Sequence, residues 1–195
     1  MLASTHRLTG TAAGLSTAIA IGATPVQILL SGALASVTAA GVTSPDIDQQ
    51  GGWKLADKLL PDEWLGHGGP FRHRGLAHWW GLPVLAAWFG LPAVPDELRW
   101  FALALLVGWI SHLLGDFLFG KANRRQGRGP GIPVAPWWWY LGIGLDTGGS
   151  AERFTRRFLL PGLIAGLLVV WAVGQDWLGT WSPQLAGVPG LPGSG

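Results

Sequence analysis

The sequence has no cysteine and few charged residues, and each shortage excludes a class of chemistry. Without cysteine there can be no disulfide, thiolate ligand or cysteine nucleophile, so nitrogen and oxygen must hold any bound metal. Charged residues make up 12% of the 195 residues, against roughly 25% in ordinary globular domains. A soluble protein with so few charges would struggle to cover its surface, so we predict an integral membrane protein.

Five apolar stretches contribute much of the 49% hydrophobic content. They are Leu8–Ala23, Val26–Gly41, His78–Leu91, Leu98–Phe119 and Phe158–Trp177. About 20 helical residues span a bilayer core. The last two stretches reach this length, and we expect the first three to tilt, extend or pack inside the bundle. Proline cannot continue a helix interior, so Pro25 should divide the first pair into a helical hairpin.

The predicted fold is therefore an all-α membrane bundle of about five helices. One domain is expected over residues 1–181, followed by a flexible Pro-, Gly- and Ser-rich tail over 182–195. The first stretch is followed almost at once by another, so we expect it to be retained; a cleaved signal is the alternative.

Basic residues predict the orientation of the bundle. With a cytoplasmic N-terminus and five crossings, 12 of the 13 lysines and arginines fall in cytoplasmic segments, and Arg99 alone falls outside. This pattern predicts a multi-pass membrane protein with a cytoplasmic N-terminus. We interpret the net charge of +2 as a topology signal rather than a nucleic-acid-binding patch. Membrane lipids are the expected partners, and the oligomeric state is not predicted.

Candidate metal ligands lie at the same predicted cytoplasmic side. They comprise four of the five histidines and three of the eleven acidic residues: His6, Asp46, Asp48, His73, His78, His112 and Asp116. The topology was assigned from lysine and arginine alone. The histidines and acidic residues therefore provide independent support for a common site. Imidazole and carboxylate bind Zn²⁺ and similar ions. Seven ligands exceed the needs of one tetrahedral ion, so we expect one or two ions, of zinc or alternatively manganese.

Two ligand pairs are close in the chain. His112 and Asp116 are four residues apart and would share a helix face; a hydrogen-bonded pair joining two helices is the alternative. Asp46 and Asp48 would point to the same side of an extended segment, although an exposed turn or a helix cap fits them as well.

A third pair, His73 and His78, is spaced by five residues and does not share a helix face. We expect His73 in a loop and His78 on a helix; contact with anionic lipid head groups is the alternative. The guanidinium of Arg74 would orient a substrate phosphate. Asp48 and Glu152 are the candidate general bases, and Glu152 could instead cap a helix.

The order of these motifs resembles the bacterial membrane-bound metal-dependent hydrolases, an inner-membrane family described as LexA-binding. The matching stretches are His6, Pro45–Asp48, His73–His78 and Ser111–Asp116, within about residues 6–155. The family usually has Thr and Ser around the second histidine of the His-Arg motif, where this chain has Ala77 and Trp79. It often has histidine where this chain has Gln49. A more distant resemblance is to helical zinc-dependent phospholipases C and single-strand nucleases.

The resemblance implies a divalent-metal hydrolase, and we predict a phosphoester substrate such as a phospholipid or lipid-linked phosphate. The alternative is a non-enzymatic membrane scaffold with a structural metal or a His/Asp network, and with basic loops that bind lipid or a partner. Ion transport is a third hypothesis. Transport sites usually lie near the bilayer midplane, whereas these ligands lie at one face.

Overall fold

The computed structural model describes residues 1–41, 43–48, 76–121, 130–135 and 138–174. This part of the chain is mainly helical, as expected. The helices are α1 (Ala3–Ala20), α2 (Pro25–Ala40), α3 (Gly81–Ala93), α4 (Asp96–Phe119) and α5 (Ser150–Gly174). Short 3₁₀ turns cover Pro45–Asp48 and Leu76–His78, and strands β1 (Ile132–Ala135) and β2 (Trp138–Leu141) form an antiparallel hairpin.

The helical hairpin predicted at Pro25 is confirmed. The turn uses Gly22 with φ +67°, a conformation that costs glycine little. Thr24 then begins α2 with a capping box, in which its hydroxyl accepts from the Gln27 amide while its own amide donates to the Gln27 side chain. Pro25 takes the first helical position, where the missing N–H is not needed.

Three helices meet through glycine rather than through large side chains. A methyl group at Gly10 of α1 would overlap the carbonyl oxygen of Ala35 on α2, and one at Gly108 of α4 would lie 2.5 Å from that same oxygen. Ala35 is fully buried between them. The backbones of α1 and α4 therefore press on α2 from two sides, which fixes the positions of side chains further along all three helices.

The last helix is joined to this core along one face. Leu15, Ala18 and Ile28 form a buried cluster, against which Ile164, Leu168 and Trp171 of α5 pack. Most other apolar side chains of α5 are exposed, which suits a helix facing hydrocarbon better than one facing water. By length and composition, α4 and α5 are able to cross a membrane, whereas α2 and α3 are shorter apolar helices.

The β-hairpin and the segment after it were not predicted, so an all-α description is incomplete. The segment after the hairpin satisfies carbonyls that a helix leaves unpaired at its C-terminal end. The Ile143 amide donates to Phe117 O (2.8 Å) and the Leu145 amide to Leu118 O (2.9 Å). The Thr147 hydroxyl donates to Phe119 O (2.6 Å). Gly120 ends α4 with φ −82°, outside the left-handed conformation of the usual glycine cap, so these three bonds complete the end of the helix.

An exposed ion pair lies in the same region. Lys121 Nζ is 2.8 Å from Asp146 Oδ1. The hydrogen bond to this carboxylate raises the pKa of Lys121 and so favours its charged form.

Two helices begin earlier than the apolar pattern predicted. Helix α1 starts at Ala3 instead of Leu8, and α5 starts at Ser150 instead of Phe158. Hydrophobicity marks only the apolar part of a helix, and both of these helices have polar first turns. Helix α3 starts at Gly81, after a separate turn that contains His78. The predicted tail, 182–195, lies outside the described residues.

Candidate metal centre

Five of the seven predicted ligands come together in the structure. His6 lies in the first turns of α1, and Asp46 lies in the 3₁₀ turn after α2. His78 ends the turn before α3, while His112 and Asp116 lie in the last turns of α4. His73 and Arg74 lie outside the described residues, as does the side chain of Asp48.

His112 is central to the cluster, and its orientation is fixed. Its Nδ1 lies 2.6 Å from the carbonyl oxygen of Ala39. That carbonyl belongs to the last turn of α2, where helix carbonyls have no intrahelical partner. A carbonyl only accepts, so Nδ1 must donate, which leaves the Nε2 lone pair free to bind a metal. One contact therefore caps a helix and selects the tautomer of a ligand.

Nitrogen and oxygen atoms of four side chains surround one small volume. His78 Nε2 lies 3.2 Å from His112 Nε2, 3.3 Å from Asp46 Oδ1 and 3.6 Å from Asp116 Oδ2. His112 Nε2 lies 3.7 Å from Asp46 Oδ1 and 3.8 Å from Asp116 Oδ2. Ligands bound tetrahedrally at about 2.1 Å are about 3.4 Å apart. These five separations therefore suit donors that share an ion.

The second oxygen of Asp116 faces another group. His6 Nε2 lies 3.5 Å from Asp116 Oδ1, and the Met1 amino nitrogen lies 3.1 Å from that oxygen. The rings of His6 and His112 stack with centroids 3.8 Å apart. Gly115 makes room for this arrangement, because a methyl group there would lie 3.1 Å from the His6 ring. Two overlapping triads result, His6–His112–Asp116 and Asp46–His78–His112.

His6 and His112 differ in how they are held. The His112 ring is fixed by Ala39, whereas His6 Nδ1 is buried with no hydrogen-bond partner among the described residues. The His6 ring is positioned by stacking and by its place on α1. We therefore expect His6 to be the more adjustable of the two ligands.

The cluster has a closed side and an open side. His6, His78, His112 and Asp116 are almost fully buried, whereas the Asp46 side chain is 23% exposed. Burying this many ionisable groups is costly unless they are paired or bind a metal. Among these five residues, Asp46 is the one that solvent reaches.

The prediction that Asp46 and Asp48 share one side of an extended segment was wrong. Residues Pro45–Asp48 form a 3₁₀ turn. With three residues per turn, positions i and i+2 point in different directions. Asp46 reaches the cluster through this turn, and its partnership with Asp48 stays a prediction.

Glu152 lies elsewhere, in the first turn of α5. One of its carboxylate oxygens accepts from the Leu2 amide and the other from the Gly148 amide, both at 2.6 Å. The Leu2 amide lies at the start of α1, where N–H groups have no intrahelical partner. These contacts favour the helix-cap alternative for Glu152, and they tie the start of α1, which carries His6, to α5.

Sequence reasoning missed the groups that support the ligands. The Ala39 carbonyl is invisible to a motif, since every residue has one. The indole of Trp109 donates to Ala77 O at 3.1 Å, and so holds the residue before His78 against α4. Trp79 and Trp80 both donate to Val134 O. Trp109 is three residues before His112, one turn away on α4, and that spacing was the available signal.

The fold and the cluster together define a class of protein: a helical, membrane-type bundle with a buried His/Asp centre at one end. A model of the YdjM inner membrane protein family matches residues 1–178, so the chain belongs to that family. No curated protein and no solved structure matches the chain. The expected inner-membrane assignment is thus supported, whereas the family description names no reaction.

Proposed function

We propose that this protein is a membrane-embedded, divalent-metal-dependent hydrolase of a phosphoester, such as a phospholipid or a lipid-linked phosphate. The observation that carries the proposal is the group of His78, His112, Asp46 and Asp116, in which five donor–donor separations are 3.2 to 3.8 Å and every residue except Asp46 is buried. Nitrogen and oxygen donors at these separations fit Zn²⁺ or Mn²⁺.

Asp116 bears on whether the centre holds one ion or two. Its Oδ2 faces His78 and His112, while its Oδ1 faces His6. If a second ion binds, His6 and Asp116 would help to hold it, in competition with the Met1 amino group that lies 3.1 Å from Asp116 Oδ1. His73 and Asp48, at predicted positions near the same end of the bundle, would complete the second ligand set.

The roles of the remaining residues follow from burial and contact. A bound divalent ion supplies a water of lowered pKa and neutralises phosphoryl oxygens. The exposed side of Asp46 is where the phosphate would enter. Arg74 would orient it, and Asp48 would accept the proton from the attacking water. Glu152 would act by positioning α1, since both of its oxygens accept backbone hydrogen bonds.

The position of the cluster suits a lipid substrate. Asp116 lies three residues before the end of the 24-residue α4. A helix of that length spans about 36 Å, so the cluster would lie near a head-group layer if α4 crosses the bilayer. We propose the multi-pass arrangement with a cytoplasmic N-terminus, because it places the ligands and the basic loops on one side.

Metal content tests this proposal first. We would purify the protein in detergent and measure bound metal by mass spectrometry for the wild type, His112→Ala and Asp116→Asn. His67→Ala is the control, because His67 is the one histidine outside the proposed site. We expect one or two zinc or manganese ions in the wild type and control, lost in both site variants while circular dichroism and elution volume stay unchanged.

Activity tests the reaction class. Release of phosphate from phosphatidic acid, and of phosphorylated head groups from phospholipids, would be followed in mixed micelles. We expect metal-dependent turnover that His112→Ala abolishes and His67→Ala retains. Wild-type turnover in His112→Ala would refute the hydrolase. A folded protein that binds no metal after reconstitution would instead favour the scaffold with a His/Asp network.

A further inference from the structure

An apolar groove runs along α4 and ends one helical turn before the candidate metal centre. It has a volume of about 360 Å³ and lies between α2, α3 and α4. Its wall on α4 consists of Ala102, Leu105, Leu106 and Trp109. These positions recur every three or four residues and so form one stripe. From Ala102 to Trp109 the stripe is about 10 Å long at 1.5 Å per residue.

The same stripe of α4 continues into the ligands. His112 is three residues after Trp109, and Asp116 is seven after it, so both lie on nearly the same face. The helix thus carries one continuous surface that is apolar over two turns and then becomes metal-ligating.

The other two walls also approach the cluster. Thr38 of α2 lines the groove and is adjacent to Ala39, whose carbonyl holds His112. Thr43 lines it as well, three residues before Asp46, on the side where the cluster is open. The hydroxyls of these threonines occur only in the segment next to the cluster. The α3 wall, Ala86, Gly90, Leu91 and Val94, is apolar throughout.

We propose that this groove holds one acyl chain of a phospholipid whose phosphate meets the His/Asp cluster. The proposal rests on the proposed hydrolase function and specifies its substrate as an acylated phosphate lipid. No charged residue lines the groove, and the first ligand, His112, follows one helical turn after Trp109 at its end. A lipid has that same order of groups, hydrocarbon followed by phosphate.

The groove would act by alignment rather than by hydrophobic affinity. Within a bilayer the competing environment is lipid hydrocarbon, which is as apolar as the groove, so burial there brings little net gain. Fixing the direction of one chain does, however, place its phosphate at the cluster. We therefore expect the acyl chain to occupy the groove only when the lipid carries a phosphate head group. We do not expect the groove to bind apolar molecules in general more tightly.

A second apolar groove, on the opposite side of α3, supplies a matched control. It has a volume of about 340 Å³ and is lined by Ala87, Val84, Ile110 and Leu114, among others. Ala86 faces the first groove and Ala87 the second. Ala86→Phe and Ala87→Phe are thus the same substitution at neighbouring residues, and each fills one groove.

The test is photo-crosslinking in mixed micelles. The probe is a phosphatidic acid with a diazirine near the end of one acyl chain, and labelled peptides are mapped by mass spectrometry. We expect labels on Leu91, Leu105 and Leu106, severalfold weaker in Ala86→Phe and unchanged in Ala87→Phe. A diacylglycerol with the same diazirine chain lacks the phosphate and should label these positions severalfold less.

Two results would overturn the proposal. Labelling that Ala87→Phe lowers and Ala86→Phe does not would put the chain in the second groove. Equal labelling by phosphatidic acid and diacylglycerol would mean that the groove takes any surrounding lipid. Both results are readable without turnover, so they are distinct from failure of the hydrolase, which shows as absent metal or as activity retained in His112→Ala.

Discussion

Gly108→Ala is expected to weaken metal binding from a position that is not a ligand. The added methyl group would lie 2.5 Å from Ala35 O and 2.8 Å from Ala35 Cα. Ordinary contact begins near 3.4 Å, so α4 must retreat from α2 by roughly 0.9 Å. His112 is one turn further along α4, and its 2.6 Å bond to Ala39 O would stretch to roughly 3.5 Å, where little hydrogen bonding remains.

Two magnitudes follow from this displacement. Overpacking in a well-packed core costs about 1–3 kcal/mol, and replacing a helical glycine by alanine returns up to about 1 kcal/mol. We therefore expect a net loss of up to about 2 kcal/mol in stability. Loss of the group that orients a metal ligand typically lowers metal affinity by about 10–100-fold, and we expect a decrease within that range.

The assay combines thermal unfolding, followed by tryptophan fluorescence in detergent, with zinc affinity measured by competition against a chromophoric chelator. Gly166→Ala is the control, because Gly166 is also helical and has no heavy atom within 4 Å of the added methyl group. Its Tm should be unchanged or higher. Wild-type zinc affinity in Gly108→Ala would refute the argument that close approach of α4 and α2 orients His112.

Two further predictions concern groups behind the ligands. Glu152→Gln should lower Tm. One of the two backbone amides that donate to the carboxylate would then face the NH₂ group of the glutamine, at a cost of about 1–3 kcal/mol. If Glu152 were instead a general base, Tm would stay unchanged and turnover would be lost. Trp109→Phe keeps the ring but removes the donor to Ala77 O. This variant should lower zinc affinity, because Ala77 precedes the ligand His78 and would no longer be held against α4. Unchanged zinc affinity, together with unchanged crosslinking in the groove, would contradict a positioning role for Trp109.

Part of this structure was accessible from the sequence because it depends on periodicity and on proline. The hairpin at Pro25 and the i,i+4 pair His112 and Asp116 follow from local rules, and the structure confirms both. The convergence of His6, Asp46 and His78 on that pair followed from the charge-based topology. Of the predicted ligands, His73 and Asp48 stay predictions.

The rest depends on close backbone approach, which a single sequence does not display. Nothing in the pattern marks Gly108 as the point where α4 meets Ala35, or the Ala39 carbonyl as a hydrogen-bond acceptor. The β-hairpin was missed because its strands are only four residues each and because it serves the end of α4 rather than a core of its own. At Asp46 the extended segment was the first interpretation and a turn its alternative, because a Pro-Asp sequence fits several backbone geometries.

The hydrogen bond between His112 and the last turn of α2 makes the metal centre depend on the length of α2. Its acceptor is a main-chain oxygen, so exchanging Ala39 for another small residue leaves the acceptor in place. One residue added within α2 would instead rotate its end by about 100° and advance it by about 1.5 Å. The carbonyl would then point away from the imidazole. The centre should thus tolerate exchange of small residues in α2 but not insertions or deletions. The number of residues in the helix is constrained more strictly than their identity.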